Sequence, residues 1–264
     1  MPNLVRGIGQ ASLELVREIG RITLFTLHTF RSVFSGFPRR DVIVPLAYSI
    51  GVRSVPVVLT TGAFVGMVLA VEIFGQLHKM DAEAATGPII NISMVKELGP
   101  VLAGVMLAGR IGGAMAAELG TMKVTEQIDA LRTLGADPVS FLVVPRFLAC
   151  VLLVPILTIL ADAIGVVGGY VMSVRVLGVD AYAYWEQTRR ILENWDIFCG
   201  IVKSVVFGGA IAVICCYKGF AAGEGAQGVG KATTEAFVFS FVAILAADFV
   251  LAVTLRLIYN LYVA

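Results

Sequence analysis

Apolar residues dominate five stretches of this chain, at 42–75, 87–117, 141–174, 197–217 and 234–260, and most charged residues gather between them. About twenty residues at a 1.5 Å rise cross the hydrocarbon core of a bilayer, so each stretch predicts a spanning helix. The first and third are too long to stand upright and must tilt or bend, and Pro45 and Pro56 are the expected bends of the first. Ahead of them, Leu4, Ile8, Ala11, Leu15 and Ile22 recur at helical spacing opposite Arg6, Gln10, Glu14, Arg17 and Arg21. That pattern predicts an amphipathic helix lying on the membrane surface, ending at the break Phe37-Pro38-Arg39-Arg40. Ala161, Gly165 and Gly169, spaced four apart, predict a close approach by another helix. The pattern as a whole predicts an all-α integral membrane protein, with an N-terminal interfacial helix and elbow over 1–40 and about five transmembrane helices over 41–264.

The polar segments fill in the connections. Residues 76–86 form the expected first external loop, 118–138 a cytoplasmic segment with a short helix at about 121–135, and 219–230 a glycine-rich loop. Residues 179–195 predict an external interfacial helix anchored by Tyr182, Trp185, Leu192 and Trp195 at headgroup depth. Six arginines against two acids in the first forty residues put the N-terminus in the cytoplasm, and five spans then put the C-terminus on the periplasmic side. Charges at Arg6, Glu14, Arg17, Glu18 and Arg21 interrupt the place where a cleaved signal peptide would need an uncharged core, so the N-terminus is expected to be retained.

Composition agrees with a bilayer. The chain is 58% hydrophobic and 15% charged, with a mean hydropathy of +0.89, whereas soluble chains carry about 25% charged residues. A net charge of +1 gives no reason to expect nucleic acid. Cys150, Cys199, Cys215 and Cys216 lie in apolar runs without a CxxC pair and read as buried small hydrophobes. His28 and His78 are isolated, so no metal site is expected.

Within 118–138, Thr125 is the expected cap of a helix carrying Glu126 and Asp129 in its first turn and Arg132 later, closed by Gly135 before Asp137-Pro138. Ile128, Leu131 and Leu134 give it an apolar side. Such a helix either rests on lipid or docks as a coupling helix into a groove on a cytoplasmic ATPase, and the pattern leaves both open. Charges inside spans are costly in hydrocarbon and face protein or water; here they are Glu97 with its neighbour Lys96, Arg110, Asp162, Lys203 and Asp248. Arg110 follows Glu97 by about 20 Å of helix. Lys203 is expected to pair with Glu97, Asp196 or Asp248, as a structural ion pair or as part of a lipid contact. The segment GAQGVGKA, Gly225 to Ala232, fits GxxxxGK but has alanine where Ser/Thr binds magnesium, and it follows a span rather than a strand. It is therefore no P-loop, no catalytic set is visible, and energy must come from a partner.

The run GPVLAGVMLAGRIGGAMAAELGTMKVTEQIDALRTLGADP, residues 99–138, resembles the signature of the MlaE (YrbE) family, the permeases of MCE-associated ABC transporters. The similarity is dense over 96–147 and weaker through IVKSVVFG (201–208) and GVGKATTEAFV (228–238). It implies a non-catalytic permease subunit that moves phospholipids or related lipids between the cell inner membrane and the tunnel of an MCE-domain protein on the outer side. It implies a homodimer and a separate cytoplasmic ABC ATPase, with ATP and Mg held there and no cofactor in this chain; it also admits a small STAS-type cytoplasmic subunit. The resemblance carries ATPase coupling onto Glu126, Gln127, Ile128, Asp129, Leu131, Arg132 and Leu134. It places a lipid cavity at the dimer axis along Val68, Leu69, Val71, Ile73, Phe74 and Leu77. Glu97, Lys203 and Asp248 match functionally sensitive charges of the family, with Arg110 a fourth intramembrane charge. The competing expectation is an ion-coupled secondary transporter that uses Glu97, Lys203 and Asp248 as a relay, although no internal repeat supports that architecture.

Overall fold

A computed structural model describes residues 2–34 and 40–262, and among them every regular element is helical. Helix α1 (Pro2–Val33) precedes five segments long and apolar enough to cross a membrane. The first, Val42–Met80, contains most of α2 (Arg40–Ile50), a 3₁₀ turn at Val52–Ser54 and α3 (Val55–Leu77). The second, Glu83–Val124, joins α4 (Thr86–Ser93), α5 (Gly99–Leu107) and α6 (Gly113–Val124) through wide π-helical turns at Met94–Leu98 and Ala108–Gly112. A short helix, α7 (Gln127–Thr133), leads to the third segment, Val139–Val176, built on α8 (Val144–Tyr170) with π-helical turns at both ends. Helix α9 (Ala181–Ile191) then precedes α10 (Asn194–Phe220) and α11 (Gly225–Tyr262).

Proline chemistry explains two of the wide turns. Pro100 and Pro145 each stand two residues beyond a π-helical turn. A proline ring collides with the carbonyl one turn before it, and a widened turn moves that carbonyl aside without ending the helix.

Helix α8 lies between α3 and α10. Gly62 and Gly66 of α3 meet the backbone of Ala161 and Gly165 of α8 so closely that a Cβ on Gly66 would overlap the Gly165 carbonyl. The stripe read from the sequence on α8 thus has α3 as its partner. Gly208 of α10 abuts the Cys150 carbonyl in the same manner. The main core joins Leu107, Ile111 and Met115 to Phe207, Ile211 and Cys215. All four cysteines are buried and unpaired. Helices α1 and α7 lie at one end of the bundle and α9 at the other, as the chain order requires; α1 packs by Phe25 against Tyr217 and Phe220, and by Phe30 against Phe147.

Several boundaries differ from those the sequence predicts. The glycine-rich loop shrinks to residues 221–224, because Gly225 to Lys231 already forms the first turns of α11. Gly228 packs against Gly223, so glycine there serves a tight turn rather than a loop. The first segment breaks at Gly51–Ser54, with Pro56 in the first turn after the break and Pro45 inside an unbroken helix. The surface helix ends at Ile191 instead of 195; Asp180 caps its start by accepting the Ala183 amide at 2.7 Å, while Trp195 belongs to α10. Its buried ring is Tyr184, and Tyr182 points outward. The stripe positions Leu4, Arg6, Ile8, Gln10, Ala11, Glu14 and Leu15 and the break at 37–39 lie outside the described side chains and residues.

Replacing Gly66 by leucine is expected to force α3 from α8 and destabilise the fold by about 3 kcal/mol, the scale of overpacking in a tight core. Thermal unfolding in detergent reads this directly, with Gly75→Leu, which meets nothing within 4 Å, unchanged.

Candidate functional site

At the α9 end, a cavity of about 590 Å³ opens between α10, α11 and the first π-helical turn of the second segment. That turn carries Lys96 and Glu97. These adjacent residues reach two points on α10: Lys96 Nζ lies 2.7 Å from Asp196 Oδ1, and Glu97 accepts a hydrogen bond from Lys203. The Lys203 side chain is 1% exposed, and its ammonium also lies 2.9 Å from Asp248 Oδ1 of α11, at an angle unsuited to a hydrogen bond. Glu97 remains 43% exposed toward the cavity, so Lys203 closes the dry side of a wet carboxylate. Tyr259 of α11 donates to Glu193 at 3.0 Å, and Glu193 and Asp196 together form the capping box that starts α10. Phe249, Ala252 and Val253 supply an apolar wall.

The structure therefore brings Glu97, Lys203 and Asp248 together but gives Asp196 to Lys96, an arrangement that differs from one shared cluster. Asp196 stands two helical turns before Lys203 on α10, beyond reach of the same ammonium. Arg110 lies apart, donating to the Arg53 carbonyl at the break of the first segment, where the helix leaves backbone without its usual partner. Asp162 has a buried oxygen without a hydrogen-bond partner, directly against Gly99. The six predicted cavity residues divide between two faces of α3. Val68 and Val71 are exposed, whereas Leu69, Ile73 and Phe74 pack against the cluster around Ile90, Met94 and Tyr184, and Leu77 is half-buried.

At the other end, α7 is fixed by one side chain. Ile128 is 0% exposed among Leu119, Val143 and Cys216, and Leu131 packs at the edge of that cluster. Leu134 is 82% exposed, and Glu126, Gln127 and Arg132 also face outward. The apolar side read from the sequence is thus split: Ile128 holds the helix and cannot touch another molecule. Thr125 is not the cap, because Glu126 takes that position with φ 60° and Thr125 donates back to the Thr121 carbonyl. Gly135, with φ 77°, does close the turn. Asp129 receives Lys123 at 3.3 Å and Arg132 at 2.8 Å. Asp137 caps the turn before α8: burial would raise its pKa, but hydrogen bonds from the Ser140 hydroxyl and from the Val139 and Ser140 amides hold it below the usual carboxylate range.

Two buried cations at this end escaped the sequence reading. Lys218 binds Glu18 of α1 at 2.9 Å and Glu235 of α11 at 3.2 Å, and lies 4.1 Å from the Phe239 ring centroid. Its hydrogen bond, against partial burial, holds the Glu18 carboxyl below its usual value. Arg146, 4% exposed, meets Glu118 at 2.8 Å. Arg146 sits just inside the predicted start of the third span and Lys218 just beyond the predicted end of the fourth, where a basic residue reads as a snorkelling terminus. Among the described residues no group of three or more His, Cys, Asp or Glu is placed to hold a metal.

Comparison with known proteins finds the family described as Permease MlaE over residues 43–254. A probable ABC transporter permease protein of Rickettsia bellii is 40% identical over 94% of this chain and 96% of that protein. The intermembrane phospholipid transport system permease protein MlaE of Haemophilus influenzae is 32% identical over the same shares of the two chains. The chloroplastic protein trigalactosyldiacylglycerol 1 of Arabidopsis thaliana is 40% identical over 76% of this chain and 57% of its own length.

Lys203→Ala leaves Glu97 and Asp248 facing each other without a cation and is expected to cost about 3 kcal/mol. Adding Glu97→Gln and Asp248→Asn should restore most of that loss, read by thermal unfolding in detergent. Glu18 has a depressed folded pKa, so its contribution is present above its unfolded pKa and is lost as pH falls through the lower folded value. Attachment of α1 is therefore expected to weaken below about pH 4, read as faster proteolysis within α1, and Glu18→Gln should abolish that pH step.

Proposed function

The chain belongs to the permease MlaE family, and we propose that it is the membrane subunit through which an ABC transporter moves phospholipids or related lipids between the cell inner membrane and an MCE-domain tunnel. The observation that carries this reading is the α9-end cavity, which sets charged groups beside an apolar wall as a lipid requires. The protein is multi-pass; in the proposed orientation the α1 and α7 end faces the cytoplasm, and the α9 end and C-terminus face the periplasm and the MCE protein. The chain supplies no bond chemistry. ATP and Mg act in a separate ATPase subunit, which shifts the permease between two conformations by binding them unequally.

Helix α7 is the coupling element in this proposal. Ile128 roots it in the bundle, and Glu126, Gln127, Arg132 and Leu134 form the face offered to the ATPase, with Asp129 and Leu131 behind them. Two copies pair with the exposed face of α3 at the dimer axis, so that Val68 and Val71 line the lipid path there while Leu69, Ile73, Phe74 and Leu77 shape its wall. A small STAS-type subunit is a further cytoplasmic partner in this proposal.

Leu134→Asp tests the assignment without disturbing the core, because the side chain is exposed. The variant should insert and keep its thermal stability, yet lose ATPase co-purification by about tenfold or more, the penalty of a charge at an apolar hot spot, and stop lipid transfer in proteoliposomes. Normal assembly and transfer would remove α7 from the coupling role. Transfer driven by a proton or sodium gradient without ATP would replace the ABC mechanism with an ion-coupled one.

A further inference from the structure

We propose that Arg256 is the phosphate-binding group of the cavity at the α9 end, a role that rests on the lipid reading above and names the part of the lipid it recognises. Three cations line this cavity: Lys96, Lys203 and Arg256. Two already have counter-charges, Lys96 from Asp196 at 2.7 Å and Lys203 from Glu97 and Asp248. Among the described residues Arg256 has no carboxylate within ion-pair distance, and it is exposed. It is therefore the lining cation with its full charge to offer. Glu97 and Asp196 are engaged by the two lysines, and Glu193, which keeps its negative charge, is turned to the Tyr259 hydroxyl rather than to Arg256.

The order of groups along α11 fits the order of groups along a phospholipid. Phe249, Val253, Arg256 and Asn260 recur at helical spacing, and all line the cavity. Phe249 is 70% and Val253 47% exposed, giving acyl chains an apolar track. Seven residues, or about 10 Å of helix, separate Phe249 from Arg256, and beyond Arg256 come Tyr259 and Asn260, polar partners for the rest of a headgroup. A guanidinium presents paired N–H donors in a planar fork that matches two phosphate oxygens, which a lysine cannot reproduce.

The test compares two ligands that differ only in the phosphate, dioctanoyl phosphatidic acid and dioctanoylglycerol, by displacement of a fluorescent lipid from the purified transporter complex in detergent. The unmodified protein should prefer the phosphate ligand by about tenfold or more, the scale of a charge-assisted bidentate contact. Arg256→Gln should bring that preference to within about twofold while binding dioctanoylglycerol as before, and Arg256→Lys should fall between. Arg256→Gln that keeps the full preference overturns the assignment to Arg256 and leaves the lipid reading standing. An unmodified protein that binds neither ligand overturns both. Inorganic phosphate competing at the concentration of the lipid would mark a soluble-anion site and overturn the headgroup assignment.

Discussion

A lysine ammonium shut away from water inside a membrane bundle must carry its counter-charge with it, and Lys203 shows what that demands. Its side chain is 1% exposed on α10, while its carboxylates come from the second segment and from α11. Three segments far apart in the chain are therefore pinned at one point, and removing both carboxylates would leave the ammonium uncompensated where water cannot reach it. Lys218 repeats the device at the opposite end with Glu18 and Glu235, so α10 is tied electrostatically at both ends. Between these points α10 packs through Phe207, Ile211 and Cys215, which have shape but no charge. The charges fix which helices meet and at what height, and the apolar contacts fill the space that this leaves.

Backbone geometry decides where charges of this kind can stand. The π-helical turn at Met94–Leu98 precedes Gly99 and Pro100, where a regular helix would press the proline ring into the carbonyl of Lys96. Widening the turn relieves that contact and also changes the direction of Lys96 and Glu97, which reach Asp196 and Lys203, two helical turns apart on the same helix. The second wide turn carries Arg110, whose guanidinium supports the Arg53 carbonyl at the break of the first segment. The irregular turns of the second segment thus carry three of its interior charges.

What the sequence made legible follows from the range of each interaction. The spans, the small-residue stripe on α8 and the turn at Gly135 are local patterns, and a period or a positive φ signals them within a few residues. The division of Lys96 and Lys203 between Asp196 and Glu97 depends on a wide turn that no hydropathy pattern shows. The start of α11 is obscured because GAQGVGK has the composition of a loop, yet Gly228 packs closely against Gly223, and Val229 lies against Gly120 of α6. Ile128 and Leu134 looked equivalent by spacing; only the position of the bundle beneath α7 buries one and exposes the other. Arg256 gave no signal because a basic residue near the end of a span is common, and its distinction lies in the pairing of its neighbours.

The same contrast between regular and irregular helices bears on how the two ends can communicate. Ile128 of α7 shares a buried cluster with Leu119 of α6 and with Cys216, near the end of α10, and Lys203 lies thirteen residues from Cys216 on that helix, about 20 Å along its axis. Helix α10 runs from Asn194 to Phe220 without a π-helical turn, whereas the second and third segments each contain two. An unbroken helix resists bending more than one with widened turns. If α7 couples to an ATPase as proposed, a displacement of it would press on α6 of the second segment, its main packing partner, and reach α10 through the shared cluster around Leu119 and Cys216. Helix α10 would then move as a rod while the second segment yields at its wide turns. Lys203 and Asp196 ride on the rod and Glu97 and Lys96 on the yielding partner. Any relative movement of the two would change the distances of the ion pairs that join them at the cavity.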